Sequence, residues 1–207
     1  VTLMSLYEKK WFHGTNEKFE AWSFPPPRKK GNERLQVPHT AVFLTSEKDY
    51  AQGAGQHLCT VNFIKTPKLI DTVNNYEFSE QLRVQVMKNP WMARSLNINK
   101  TFWHEGWKTG DVLRFTYQDE FLASELDRSM RDQSKKMKIP LDIYQVIFEH
   151  NLTRGLIEEM VRGSRVLGFD GFVGYEIDRH SAEGQRKSRE IIALLNPGFI
   201  TRPEWLA

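Results

Sequence analysis

The residues whose types and spacing best suit binding chemistry stand near the start of the chain, at His13-Gly14-Thr15. They follow the apolar pair Trp11-Phe12, which predicts a strand that ends at Phe12 and is broken by Gly14. A histidine at a strand end, beside a glycine that lets a ligand approach the backbone closely, is suited to ligand binding. The motif therefore indicates a binding corner, and the alternative is that His13 and Thr15 only close a turn.

A basic, proline-rich loop follows between residues 24 and 38, with Pro25-Pro26-Pro27 before a basic run at 28–30. Prolines stiffen such a segment, and basic side chains keep it solvated. The loop is interpreted either as a solvated surface or as a flap that meets an anionic ligand.

Composition narrows the class of protein. A chain of 207 residues suits one domain with a sizeable core, and its net charge of +3 is too small to argue nucleic-acid binding. No run approaches the roughly 18 apolar residues of a membrane helix, and no apolar run follows Lys9 and Lys10 as in a secretory signal. One cysteine, Cys59, excludes an internal disulfide framework and a multi-cysteine zinc site. We therefore expect a cytoplasmic protein, of the producing cell or of a target cell, with no membrane partner and no metal.

Short β-prone runs occur towards both ends of the chain. The runs at 41–45, 57–64 and 190–195 predict strands, each bounded by turn-forming residues. Strands of this length are typical of a small, mainly antiparallel sheet or pair of sheets.

The middle of the chain has helical periodicity instead. Apolar residues at helical spacing predict helices over 76–98, with an interruption at Pro90, and over 141–166. The polar segment 118–137 suits an exposed helix, a loop or part of a lid. The prediction is a single α+β domain over residues 1–207, with a helical insertion at about 76–166.

Four stretches together make a recognisable pattern. They are His13-Gly14-Thr15, Phe43-Leu44-Thr45-Ser46 leading to Tyr50-Ala51, Gly168-Phe169-Asp170-Gly171, and Glu190 opening a strand that ends at Asn196-Pro197. In this order they resemble the ADP-ribosyltransferase fold, in the branch that includes diphtheria toxin and the poly(ADP-ribose) polymerases. That branch has a histidine, a tyrosine and a glutamate on three separated strands. The resemblance covers both ends of the chain and implies an ADP-ribosyltransferase-like small antiparallel split sheet.

The resemblance implies a reaction in which NAD is a substrate. The bond that breaks joins nicotinamide to ribose, through a ribosyl oxocarbenium transition state like that of glycoside hydrolysis. A carboxylate at the ribose hydroxyls stabilises this cation. The expected activity is mono-ADP-ribosyl transfer to a protein or nucleic-acid acceptor, with Glu190 as the carboxylate and His13 bonded to a ribose hydroxyl of the adenosine half.

The same resemblance implies an NAD-binding set around these two residues. The backbone of Gly14 would bind the nicotinamide carboxamide, Thr15 would support the pocket, and the ring of Phe43 would stack on nicotinamide. Thr45 and Tyr50 complete the implied set.

The aromatic positions depart from the family pattern. Phe43 stands where tyrosine is usual, so the ring is kept and the hydroxyl is lost. The family places a second aromatic residue eleven positions later, which is Ala54 here. Tyr50 or His57 would have to take its place.

The glutamate also departs from the family register. The family places it about five residues before the polar residue that ends the last strand, and counting back from Asn196 reaches Ile191. One residue reverses the face of a strand, which a bulge would restore. Without a bulge, the chain resembles members with an aliphatic residue there, which transfer at most a single ADP-ribose.

Two alternatives follow from these departures. One is a catalytically inactive module that binds NAD or ADP-ribose. The other is a related enzyme that removes a 2′-phosphate from RNA with NAD, for which Arg28, Arg179 and His180 would supply the phosphate contacts.

Overall fold

The computed structural model describes residues 3–24, 39–90, 92–93, 120–177 and 188–207. Its strands are β1 Trp11–Thr15, β2 Val42–Thr45, β3 His57–Val61, β4 Leu69–Asp71, β5 Gly171–Ile177, β6 Ser188–Leu194 and β7 Glu204–Trp205. They form a sheet in the order β4-β5-β6-β2-β1-β3-β7. Neighbours run antiparallel except β4 and β5, which are parallel. The α+β class with a mainly antiparallel sheet is confirmed, and the pair β4–β5 at the sheet edge is parallel.

Helices account for most of the described middle of the chain. They are α1 Leu3–Glu8, α2 Lys48–Gln52, α3 Tyr76–Met87, α4 Glu120–Met137, α5 Leu141–Val166 and a 3₁₀ turn at Pro197–Phe199. The bounds predicted for α5 are confirmed, and the polar segment before it is a helix. Within the described ranges, no helix is both long and apolar enough to span a bilayer.

Helix α3 ends at Met87, shortly before Pro90, the residue predicted to interrupt the helical segment 76–98. The Asn89 side chain accepts a hydrogen bond from the Met92 backbone N–H at 3.2 Å, as a residue that starts a new turn does. Pro90 follows Asn89 directly, at the position where a missing N–H is tolerated. The predicted interruption is therefore confirmed: α3 ends before Pro90, and a new helical turn begins after Asn89.

The first strand is longer than predicted, because β1 continues through His13 and Gly14 to Thr15. All five of its residues pair with β3, from Trp11 opposite Val61 to Thr15 opposite His57. A Cβ atom on Gly14 would lie 1.9 Å from the carbonyl oxygen of Ala51. Glycine is thus required for the close approach of α2 to β1, and it does not break the strand.

Two buried clusters cover the two faces of the sheet. The helix-side core joins α3 and α5 to one face through Leu82, Val86, Leu156, Met160, Ile191 and Ala193. The Trp11 core lies on the other face and includes Leu6, Trp11, Leu44, Ile192 and Leu194. Successive strand residues point to opposite faces, so the neighbours Ile191 and Ile192 belong to different cores.

The turn before β5 is hydrogen-bonded to the start of the neighbouring strand β4. Gly168 has a φ of 75° and Gly171 a φ of 154°, both in the region that favours glycine. The Asp170 carboxylate accepts a hydrogen bond from the Lys68 backbone N–H at 2.7 Å, and the Asp170 N–H donates to the Lys68 carbonyl at 2.7 Å. Asp170 therefore joins β4 to β5.

Candidate functional site

The sheet has a weakly paired seam between β1 and β2. Phe12 opposite Thr45 is the backbone pair that joins these strands, whereas β3 pairs with the whole of β1. Past this pair, Nδ1 of His13 lies 2.9 Å from the carbonyl oxygen of Phe43. The His13 side chain thus joins β1 to β2 where the backbone pairing of these strands ends. The two predicted residues meet there through the imidazole of His13 and the backbone carbonyl of Phe43.

The contacts of His13 fix its chemistry. A carbonyl oxygen only accepts hydrogen bonds, so Nδ1 carries the proton and Nε2 presents a lone pair. Burial lowers the pKa of His13 from 6.5, against the opposing effect of the Phe43 hydrogen bond, and favours the neutral ring. Among the described residues Nε2 has no hydrogen-bond partner, and the rings of Phe19 and Trp22 pack edge-on at 6.4 and 5.2 Å. The imidazole is therefore poised to accept from a hydroxyl group.

Strand register divides the predicted residues between the two faces. Phe12, Thr45 and Ile191 are opposite one another across β1, β2 and β6, so they share the helix-side face. His13 and Glu190 each stand one position away and share the other face. The strands β1 and β6 are two strand spacings of about 4.8 Å apart, and His13 and Glu190 are offset by two residues of about 3.4 Å along the strand direction. Their Cα atoms therefore lie roughly 12 Å apart.

Glu190 is the third residue of β6 rather than its first, because Ser188 and Arg189 pair with Ile177 and Glu176. From Ser188 to Leu194 the pairing with β5 runs residue for residue, so this strand contains no bulge to turn Glu190 over. The Glu190 carboxylate lies 3.3 Å from Nζ of Lys9, and 18% of its side chain is exposed. A cation therefore already faces the predicted catalytic carboxylate.

Thr45 and Thr15 both have local roles. The Thr45 hydroxyl donates to the Glu190 carbonyl at 2.9 Å and accepts from the Glu47 N–H at 3.2 Å. It is buried, and it joins β2 to β6 and to the start of α2. The Thr15 hydroxyl accepts from the Glu17 N–H at 3.4 Å. The hydrogen bond from the Thr45 hydroxyl to the Glu190 carbonyl also fixes the position of the backbone at Glu190.

The two candidates for the second aromatic position lie apart. Tyr50, on α2, packs against the helix-side core, as Phe43 does, and Arg189 lies 6.0 Å over its ring. The ring of His57 instead faces Trp205 at 6.4 Å, at the β3–β7 edge. Tyr50 is thus the aromatic residue on the same face as Phe43.

Sequence reasoning missed a polar cluster beside Phe43. The ring of His39 lies 4.9 Å from that of Phe43, and Nδ1 of His39 lies 3.5 Å from Oε1 of Glu158 on α5. Thr40 donates to the same carboxylate from its N–H at 2.9 Å and its hydroxyl at 2.6 Å. Burial acts to raise the pKa of Glu158, but the contact with His39 and the hydrogen bonds from Thr40 outweigh it and lower the pKa from 4.5.

Arg28, Arg179 and His180 lie outside the described residues. In the part of the chain that is described, no group of three or more His, Cys, Asp or Glu side chains is arranged to hold a metal ion.

Comparison with known proteins adds no relative. No protein-family model, no curated protein and no solved structure matches this chain.

Proposed function

We propose that this protein is an NAD-dependent mono-ADP-ribosyltransferase that acts on a macromolecular acceptor. The observation that supports the proposal is the adjacency of β6, β2 and β1, with His13 bridging the seam to the Phe43 carbonyl. These strands carry the glutamate, the aromatic residue and the histidine of the resemblance. His13 and Phe43 precede Glu190 by 147 positions or more in the sequence, yet the strands that carry all three residues are neighbours in the sheet.

In this proposal His13 and Glu190 hold the two riboses of one NAD molecule. The lone pair on Nε2 of His13 accepts a hydrogen bond from a hydroxyl of the adenosine ribose. Glu190 stabilises the cation that develops on the other ribose as nicotinamide leaves. A dinucleotide carries its riboses at the two ends of a diphosphate, so residues roughly 12 Å apart on one face suit it.

The experiment that tests the proposal is nicotinamide release from NAD by the purified protein. Glu190→Gln keeps the size of the side chain and removes its charge, and we expect kcat to fall by about 10²-fold or more, with little change in KM. Glu204→Gln, which changes an exposed carboxylate on the edge strand β7, is the matched control and keeps the wild-type rate. Equal release by wild type and Glu190→Gln would remove the carboxylate from the mechanism.

The second candidate function is binding without turnover. It is favoured by the Lys9 contact to Glu190 and by the placement of Ile191, rather than Glu190, on the face of Phe43. This hypothesis predicts that calorimetry detects NAD or ADP-ribose binding while nicotinamide is not released. His13→Phe, which removes the acceptor nitrogen and keeps a ring, weakens binding under both hypotheses. Neither binding nor release by the wild type would refute both.

A further inference from the structure

A cation lies against the carboxylate that the proposed function makes catalytic. Nζ of Lys9 is 3.3 Å from Oε1 of Glu190, with 43% of the lysine side chain and 18% of the glutamate side chain exposed. The preceding residue of β6, Arg189, bonds Glu47 and Asp49 instead. Among the residues that the structure describes, Lys9 is therefore the counter-ion of Glu190.

The backbone on both sides of Lys9 is held in place. Before it, the Leu6 carbonyl of α1 accepts a hydrogen bond from Nε1 of Trp11 at 3.0 Å, and the Tyr7 hydroxyl lies 2.5 Å from the Thr66 hydroxyl. After it, Trp11 pairs with β3 and its side chain is buried. The backbone at Lys9 is thus fixed, so its ammonium group moves by rotation within the partly exposed side chain.

Strand register shows from which side Lys9 approaches the carboxylate. The strands β1 and β6 run parallel on either side of β2, and their pairing puts Trp11 and Glu190 at one level and on one face of the sheet. Lys9 precedes Trp11 by two residues, whereas His13 follows it by two. Lys9 therefore reaches Glu190 from the side away from His13, and its contact affects one of the two proposed ribose contacts.

We propose that Lys9 is an autoinhibitory counter-ion, whose ammonium group occupies the Glu190 carboxylate until the nicotinamide ribose of NAD displaces it. The inference rests on the proposed function, which assigns that ribose to Glu190. A ribose hydroxyl donates to the carboxylate that the ammonium group now contacts, so the two compete for one acceptor. NAD then binds only the fraction of molecules whose carboxylate is free, which raises the apparent Kd and KM and leaves kcat unchanged.

The exposure of the pair determines the size of this effect. Water and salt screen an ion pair that reaches the surface, and holding a long lysine side chain in one geometry costs conformational entropy. Pairs of this class favour the closed form over the open form by up to roughly 5-fold. The contact between Lys9 and Glu190 therefore reduces NAD binding measurably, and a ligand is able to displace it.

The test measures the Kd of NAD by calorimetry, and KM and kcat from nicotinamide release by the purified protein. We expect Lys9→Gln, which removes the charge, to lower Kd and KM by roughly 2- to 5-fold with kcat unchanged. NAD carries a negatively charged diphosphate, so the general loss of a positive charge would act in the opposite direction. Lys10→Gln, at the next exposed lysine, is the matched control and does not tighten binding.

Two further variants assign the effect to the contact itself. Lys9→Arg keeps a cation beside the carboxylate, and we expect it to keep the wild-type Kd within a factor of about two. In a Glu190→Gln background no carboxylate is left to release, so adding Lys9→Gln should leave Kd unchanged. A tightening that persists in this background would overturn the proposal.

The failure of this proposal and the failure of the proposed function give different results. Weaker NAD binding by Lys9→Gln would refute autoinhibition and make Lys9 a contact of the NAD phosphates. An unchanged Kd would also refute it, and a lower melting temperature would then show that the pair only fastens β1 to β6. Both results leave the transferase intact if the wild type releases nicotinamide. A wild type that neither binds NAD nor releases nicotinamide would refute the proposed function, and the role of Lys9 with it.

Discussion

Nδ1 of His13 donates a hydrogen bond to the carbonyl oxygen of Phe43 at 2.9 Å, across the seam between β1 and β2. The bond satisfies a strand carbonyl beyond the Phe12–Thr45 pair. It also fixes the tautomer of the ring and leaves Nε2 as an acceptor. The same hydrogen bond therefore stabilises the seam and determines that Nε2 of His13 can accept a hydrogen bond from a ligand.

The first prediction concerns the pH dependence of stability. Burial lowers the pKa of His13 below 6.5, so below that pH the unfolded chain binds more protons than the folded protein. The stability that the neutral ring provides is fully present above pH 6.5 and is lost progressively as the pH falls from this value to the lower pKa of the folded protein. We expect the free energy of unfolding to decrease by at most about 1.4 kcal/mol per pH unit from this group.

Urea denaturation at about pH 7.5 and about pH 5.5 measures this effect. His13→Asn, which keeps an N–H donor and does not titrate in this range, should reduce the difference between the two pH values. His57→Asn, at the start of β3, should retain it because His13 is intact. An unchanged difference in His13→Asn would assign the effect to another group.

The second prediction tests the contact between α2 and β1. Gly14→Ala would place a Cβ atom 1.9 Å from the Ala51 carbonyl oxygen, a backbone atom that cannot rotate away. We expect it to lower the free energy of unfolding by about 2 kcal/mol or more.

Gly168→Ala supplies the comparison, because its Cβ atom would meet nothing within 4 Å and only the φ of 75° is unfavourable. That strain costs about 1 kcal/mol. Urea midpoints with unchanged m-values measure both variants. A smaller loss for Gly14→Ala than for Gly168→Ala would contradict the close packing of α2 on β1.

Features that depend on nearby residues were predictable from the sequence. The apolar periodicity of residues 141–166 gave the bounds of α5, since a helix buries side chains at local, regular spacing. The β-prone run that forms β2 was also placed correctly, apart from its first residue. These elements follow from composition and period alone.

Features that depend on distant partners were not predictable. The strand β1 continues through Gly14 because β3 pairs with it and α2 needs the space, and neither fact is visible in the tripeptide. The face of Glu190 depends on pairing with β5 and β2. His39 and Glu158 are 119 residues apart in the sequence (158 − 39), and no short motif connects them. The only local sign was a His-Thr pair directly before a strand.

The third prediction concerns the ion pairs that hold α2 to β6. Arg189 bonds Glu47 and, at 2.9 Å, Asp49, while its own side chain is 12% exposed. Asp49 is 70% exposed and Glu47 is 33% exposed, so solvent screens the Asp49 pair more strongly.

We expect Glu47→Gln to cost roughly 1 kcal/mol and Asp49→Asn less than about 0.5 kcal/mol. Double-mutant cycles with Arg189→Gln separate each coupling energy from the other contacts of the arginine. Equal coupling for the two carboxylates would show that Arg189 is more open to solvent than this geometry indicates.

The fourth prediction uses Cys59, the single cysteine of the chain, as a reporter of the β1–β3 pairing. Burial raises the pKa of its thiol to about 11, and Sγ donates to the His13 carbonyl at 3.6 Å, so the reactive thiolate is scarce in the folded protein. We expect a thiol reagent at about pH 8 to label the native protein only through opening of the sheet, and to label it rapidly in denaturant. Gly14→Ala should accelerate labelling because it destabilises β1.

The proposed function places NAD at His13 and Gly14. On that proposal NAD should slow the labelling of Cys59, because bound ligand stabilises the closed sheet by RT ln(1 + [L]/Kd). At ligand one hundred times its Kd, the opening equilibrium falls about a hundredfold. His13→Phe should lose this protection while keeping the slow basal rate. Protection that persists in His13→Phe would place the ligand away from the seam, and rapid labelling of the wild type without ligand would show that β1 and β3 separate readily.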